Sequence, residues 1–270
     1  GGDVRWYNEG NVYRFMKQPV GLKSFWKMLI PQSDGVYYDG NHLGSWDFLG
    51  RYALDNGDQL RAYFQWPWED GSGVGKLAGF GGLWGLEWRR QDRWWITAVV
   101  VEYLDFMNQS GPIHWAPDDS PGTTLRDHAT GGDQYYNNQH YNGYCNYGMS
   151  IGSPFLPGPV YNLDGYMAYV DNRVRGFHIG VSGAAGPVVD WRVLASYRKG
   201  YGDSRMPRLY PVHDTSFMVE GRWRMPKVNG LSLGVQVAMD RGDMLGDNFG
   251  ASLCLKYNCN LVPFNSARKQ

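Results

Sequence analysis

Nine runs of this chain alternate apolar and polar side chains with a period of two, and the connections between them alternate between short and long. A period of two is the pattern of a strand with two unlike faces. The runs are 45–54, 58–66, 83–90, 93–105, 176–185, 191–201, 215–225, 231–240 and 249–257. In the first, Trp46, Phe48, Tyr52 and Leu54 alternate with Ser45, Asp47, Arg51 and Ala53. In the fifth, Phe177, Ile179 and Val181 alternate with His178, Gly180 and Ser182. Asp55-Asn56-Gly57, between the first two runs, is a hairpin signal. The turns at 55–57, 91–92, 186–190 and 226–230 are short. The loops at 67–82, 106–175, 202–213 and 241–248 are longer.

A soluble β-sandwich also alternates, but it has no reason to gather its long loops at one end. An outer-membrane barrel does, with about 10 residues per strand, apolar side chains outward and polar ones inward. The polar face carries charges in the middle of strands: Asp47, Arg51, Arg61, Arg192, Glu220 and Arg222, which are expected to face a lumen. Aromatic residues near strand ends, such as Trp66, Trp84, Trp94, Tyr103, Tyr197 and Trp223, would form interfacial girdles. The expected fold class is therefore all-β, an antiparallel transmembrane β-barrel in the bacterial outer membrane with long extracellular loops. Its partners would include outer-membrane lipid.

The last run heads for the short-turn side, and bacterial barrels normally have an even number of strands. The sequence is thus expected to be the C-terminal part of a larger barrel, or to hold a further strand before residue 44. Residues 1–43 form a poorly defined segment with short strands at 4–7 and 12–16 and an amphipathic helix at 22–30, stopped by Pro31. Residues 44–258 carry the barrel strands, including the long loop 106–175. Residues 259–270 are a tail.

Composition narrows the function. Formal net charge is zero, and no long basic run occurs, so nucleic acid is not an expected partner. No run of about 18 apolar residues marks a transmembrane helix. The chain opens GGDVRWYNEG, without a basic-then-apolar start, so it is read as a mature or truncated piece or as never exported. Cys145, Cys254 and Cys259 have neither disulfide-framework nor zinc spacing and read as unpaired small residues.

Within the long loop, residues 108–155 are rich in Gly, Asn, Gln, Tyr, Asp and His and lack periodicity. A loop this long in a compact domain is usually functional. It pairs aromatic faces with planar amides and carboxylates, the side chains that a polysaccharide site needs. The candidate glycan-binding residues are Trp115, Asp133, Gln134, Tyr135, Tyr136, Asn137, Asn138, Tyr141 and Tyr144. The same side chains could pack the loop on itself and plug a lumen.

Several segments resemble the capsule assembly protein Wzi family in its Bacteroidetes-type form. They are Glu102-Tyr103 with Asn108-Gln109-Ser110-Gly111-Pro112, then Gly131-Gly132-Asp133-Gln134-Tyr135-Tyr136-Asn137-Asn138, Gly143-Tyr144 and Ile151-Gly152-Ser153-Pro154-Phe155. Gly40-Asn41-His42-Leu43-Gly44-Ser45, Glu69-Asp70-Gly71-Ser72-Gly73 and Asp171-Asn172-Arg173 with His178 fit the same pattern. The similarity covers about residues 37–257. It implies a plugged, lectin-like outer-membrane barrel of eighteen strands that holds capsular polysaccharide on the cell surface. This chain would supply about half of such a barrel.

Enzyme readings are weaker. Glu69-Asp70 and Asp118-Asp119 are adjacent carboxylates, which usually point apart, whereas a glycosidase needs two facing each other. His114, His128 and His140 lack the tight spacing of a metal site with Asp127 or Asp133. No catalytic residue, metal or cofactor is expected. The expected function is non-catalytic binding or anchoring of capsular or surface polysaccharide. The alternative is a sugar-specific porin or channel; a soluble glycan-processing β-protein ranks third.

Overall fold

The computed structural model describes residues 4–9, 12–17, 21–29, 43–69, 79–108, 113–117, 127–131, 136–137, 144–162, 164–165, 168–204, 206–228 and 230–258. In chain order the elements are β1 (Val4–Glu9), β2 (Val12–Lys17), α1 (Leu22–Leu29), β3 (Leu43–Ala53), β4 (Gln59–Glu69), β5 (Gly82–Arg89), β6 (Ala98–Asp105), β7 (Ile113–Pro117) and β8 (Asp127–Gly131). There follow β9 (Cys145–Asn146), β10 (Met149–Ser150), a 3-10 turn Pro159–Tyr161, β11 (Val174–Ala185), β12 (Val189–Gly202), β13 (Pro207–Arg224), β14 (Leu231–Gly242) and β15 (Asn248–Tyr257).

Two compact units result. The first comprises Gly1–Ser45, Pro67–Gly79 and Ser110–Asp133. It holds the antiparallel pair β1–β2, with Val4 opposite Lys17, and the antiparallel pair β7–β8, with Ile113 opposite Gly131. Helix α1 exposes Leu22, Phe25, Trp26 and Leu29. No helix among the described residues is long and apolar enough to cross a membrane.

The second unit comprises Trp46–Trp66, Phe80–Gln109 and Gln134–Gln270. It carries a nine-stranded sheet in the order β15-β14-β13-β12-β11-β6-β5-β4-β3. Sequence neighbours pair throughout, apart from the step from β6 to β11, which spans the long loop. β3 and β15 are the sheet's edges. The nine runs read from the sequence are these nine strands, so the chain is an antiparallel all-β protein. The expected helix and the two short N-terminal strands are present as α1, β1 and β2.

Two boundaries differ from the periodicity. β6 begins at Ala98 rather than at residue 93. Trp94 O and Thr97 N–H still bond to Ala184 and Ser182 on β11, but the chain crosses directly over Gly183 between them. That bulge breaks the ladder while keeping its hydrogen bonds. β13 begins at Pro207, well before residue 215. Pro207 and Pro211 read as breakers, yet they sit at a register shift between Gly200 and Gly202 of β12, near the strand's end, where prolines are tolerated.

The faces of the sheet differ sharply. On one, cross-strand partners are apolar and exposed. Tyr103 lies opposite Phe177, which lies opposite Tyr197; Val101 lies opposite Ile179. Phe217 lies opposite Met239, which lies opposite Phe249, and Val235 lies opposite Leu253. Toward the long-loop end this face exposes Trp84, Tyr103, Phe177, Tyr197 and Phe249. Toward the short-turn end it exposes Tyr52, Trp223 and Tyr257, and Trp94 and Trp95 are exposed on the connection between β5 and β6. Between the two aromatic rows lie Leu86, Val101, Ile179, Val219, Val237 and Leu253. Near β4 the face is locally closed: Phe64 is buried under Trp84, with ring centroids 3.9 Å apart, beside Phe48 and Trp66.

The opposite face is polar and cross-linked. Tyr63 donates to Glu102, and His178 shares a 2.7 Å hydrogen bond with Ser196. Arg61 pairs with Glu87 at 3.4 Å, and Arg192 pairs with Glu220 at 2.5 Å. The small apolar core sits at the long-loop end, where Leu104, Phe106, Phe155, Leu156, Tyr169 and Val174 are buried together.

Candidate functional site

The long loop returns over the sheet through Pro154–Pro159. Gly176 makes this possible, because a Cβ there would stand 2.8 Å from the Phe155 ring. Arg198, the cross-strand partner of Gly176, places its guanidinium over that ring, 5.9 Å from the centroid. Arg198 also donates to Pro154 O at 3.0 Å and to Ser216 Oγ at 3.1 Å. Arg198 is buried, and these charge-assisted bonds offset the desolvation of its cation.

Tyr169 is the hub of the described loop and is fully buried. Its hydroxyl donates to Tyr144 O at 2.8 Å. Burial, with Cys145 and Tyr136 nearby, pushes its phenol well above the ordinary range, so it stays a donor. The Tyr136 ring packs 5.1 Å from Tyr169 and 6.0 Å from Tyr144. The Tyr136 hydroxyl accepts from Ser153 N–H at 3.2 Å. Tyr136 is a non-glycine residue at φ 69°, a conformation that this packing enforces. Asn137 exchanges two hydrogen bonds with the backbone of Tyr169.

On this base stands a hairpin. β9 and β10 pair Asn146 with Met149, which leaves Tyr147-Gly148 as a two-residue turn. Both turn residues have positive φ, 50° and 77°, as a type I′ turn requires. Tyr147 is 95 % exposed at the tip. The 3-10 turn braces it: Val160 N–H donates to Gly148 O at 2.8 Å. Gly158 lies so close beneath that a Cβ would fall 2.5 Å from Gly148 O and 2.7 Å from Ser150 N. Tyr161, Val160, Met149 and Ile151 are exposed around the tip.

Two buried carboxylates tie neighbouring connections to the sheet. Asp171 accepts from Arg208 Nε at 2.7 Å and Arg208 Nη2 at 2.6 Å, and from Gly202 N–H at 2.8 Å. Asp214 accepts from the N–H groups of Met244 and Leu245 at 3.1 and 2.7 Å.

Of the expected glycan-binding residues, Tyr136, Asn137 and Tyr144 come together, and they brace the loop from inside. Trp115 lies on β7. Asp133, Gln134, Tyr135, Asn138 and Tyr141 lie outside the described residues. Among the described residues of the loop, the exposed aromatic side chains are Tyr147 and Tyr161. Tyr147 could have been singled out from Asn146-Tyr147-Gly148, which has the form of a hairpin turn. Tyr161 carries no such signal, because its exposure follows from the 3-10 turn that Gly158 seats. Of the expected lumen residues, Arg61, Arg192, Glu220 and Arg222 stand on the polar face, where Asp47 and Arg51 alternate with Trp46, Phe48 and Tyr52 on β3.

Among the described residues no group of three or more His, Cys, Asp or Glu side chains stands close enough to hold a metal ion. Comparison with protein-family models, with curated proteins and with solved structures gives no match to this chain. The arrangement presents flat aromatic faces on a rigid, internally hydrogen-bonded base, the geometry for stacking on a sugar ring.

Proposed function

We propose that this chain builds part of an outer-membrane β-barrel wall and that its long loop holds capsular or surface polysaccharide without catalysis. One observation carries the reading: an exposed apolar face, spread over nine strands and bordered by two aromatic rows, lies opposite a face of paired charges. Monomeric soluble proteins rarely expose one apolar patch larger than about 300–600 Å². In lipid the same face is solvated, and the aromatic rows fall at the two interfaces. The sheet's end strands β3 and β15 fit a wall that further strands close, since every backbone group in a bilayer needs a partner. The resemblance of the loop segments to the Wzi family supports the polysaccharide, as does the exposure of Tyr147 and Tyr161 on a braced hairpin.

The test compares cells carrying the intact gene with cells lacking residues 113–150, at matched barrel abundance, and quantifies retained capsule against shed polymer. Capsule shed on deletion supports the reading. Capsule retained sinks the adhesive role and directs attention to the channel alternative, which single-channel conductance in a planar bilayer decides.

A further inference from the structure

The polar face ends, on the short-turn side, in carboxylates that are each shared by two arginines. Glu220 gives one oxygen to Arg192 at 2.5 Å and the other to Arg222 at 3.1 Å. Asp190 serves both Arg93 and Arg224 through one oxygen. Glu87 serves both Arg61 and Arg89. One arginine would neutralise each carboxylate, so the second leaves a surplus of positive charge. Across β12, β13 and β15 Arg192, Arg222 and Lys256 stand around Glu220, while the neighbouring carboxylate, Asp190, is already shared by Arg93 and Arg224.

These groups border open space. A recess of about 280 Å³ lies between Thr97, Ser182, Gly183, Asp190, Trp191, Arg192, Glu220 and Arg222, so it holds two carboxylates, Asp190 and Glu220. A second, of about 60 Å³, continues it past Glu220 and Arg222 to Ser232, Gly234, Ser252 and Lys256. Small residues, Ser182, Gly183, Ser232, Gly234 and Ser252, line much of both recesses, beside Trp191, Val235, Gln236 and Cys254. Among the described residues, Arg192 and Arg222 each spend one of five N–H donors on Glu220. The arginine side chains are half exposed, and Lys256 is exposed.

We propose that this recess, lined by Arg192, Glu220, Arg222, Lys256 and the serines between them, binds an acidic saccharide. Guanidinium forks match a carboxylate in two-point geometry, and an ammonium serves as a point charge beside them. Glu220 gives the class of ligand. A bare anion is repelled by it, whereas a sugar ring offers hydroxyls that donate to it. Ser182, Ser232 and Ser252 both donate and accept, which suits the remaining hydroxyls. The site lies at the end of the strands remote from the Tyr147 hairpin, and it does not depend on that hairpin binding glycan.

The test titrates the full chain, refolded in detergent micelles, with a galacturonate trimer, the corresponding neutral galactose trimer and inorganic phosphate, followed by calorimetry. The acidic trimer is expected to bind at least about tenfold tighter than either other probe, and to weaken as salt rises. R192Q and R222Q are expected to weaken it about ten- to a hundredfold, the loss of one charge-assisted contact. R222K should retain part of the affinity, and K256Q, on the edge strand where folding is least at risk, should weaken binding. R175Q, at the other end of the strands, should change nothing. Unchanged affinity in R192Q, R222Q and K256Q with native circular dichroism overturns the proposal. So does an equal loss in R175Q, or phosphate binding as tightly as the trimer.

Discussion

The side-chain amide of Asn137 and the backbone of Tyr169 exchange two hydrogen bonds of 2.8 Å across 32 residues of sequence. Asn137 thereby acts as one residue of a strand, satisfying both polar groups of a residue with no exposure to water. Asn137→Ala leaves a buried N–H and a buried C=O without these partners, at about 1–3 kcal/mol each. The expected result is local opening of the loop: native-state hydrogen exchange at Tyr169 should accelerate by about 30-fold or more. Unchanged protection would mean that Tyr169 is held by its ring contacts alone.

Much of the sheet could be read from the sequence, and the reason is periodicity. The Phe177, Ile179, Val181 series has one spacing compatible with one-sided solvation, and its partners Tyr103 and Tyr197 follow the same rule. Residues 207–213 were hidden because Pro207 and Pro211 mask a strand that a bulge accommodates. The site was less legible. Composition flags Tyr136, Tyr144 and Tyr147 alike, but only three-dimensional packing separates the buried Tyr136 from the exposed Tyr147. Nothing in local sequence shows that Gly176 is the seat of Phe155.

The facing of the strands yields a paired prediction. Phe177 lies on the exposed apolar face between Tyr103 and Tyr197, and His178 lies on the polar face against Ser196. Under the barrel reading Phe177 stands in the aromatic row at the interface, where an arginine costs about 0–1 kcal/mol, so the lipid face is tested one pair further in: Ile179→Arg, opposite Val101 and between the two rows, is expected to cost about 2–4 kcal/mol. His178→Arg places its cation on the polar face opposite Glu102 and should cost much less. Urea unfolding in liposomes compares Ile179→Arg with His178→Arg; equal costs would refute the facing of lipid by the Phe177, Ile179, Val181 series.

Tyr147 sets stability against binding. Its φ of 50° costs a tyrosine about 1 kcal/mol relative to glycine, and its side chain is almost fully in water. Tyr147→Gly should therefore leave thermal stability unchanged or raise it by up to about 1 kcal/mol. The same variant should retain less capsule, because it removes the tip aromatic. A variant that is stabilised yet retains capsule fully would remove Tyr147 from the glycan surface.

Gly158 tests whether the bracing of the hairpin matters as much as its tip. A methyl group at residue 158 would fall 2.5 Å from Gly148 O, 2.7 Å from Ser150 N and 3.0 Å from Met149 Cα. All three are backbone atoms, so no side-chain rotation relieves the clash. Gly158→Ala must separate the 3-10 turn from the hairpin, which breaks the 2.8 Å bond from Val160 N–H to Gly148 O. Overpacking of this kind costs about 1–3 kcal/mol. The sheet does not share these contacts, so global unfolding should move little. The measurable effect is local: faster hydrogen exchange at Val160, together with weaker capsule retention although Tyr147 and Tyr161 are both present. If Val160 exchange accelerates and retention stays normal, the aromatic side chains act without a rigid base. If neither changes, the turn and the hairpin are not packed as closely as these distances require.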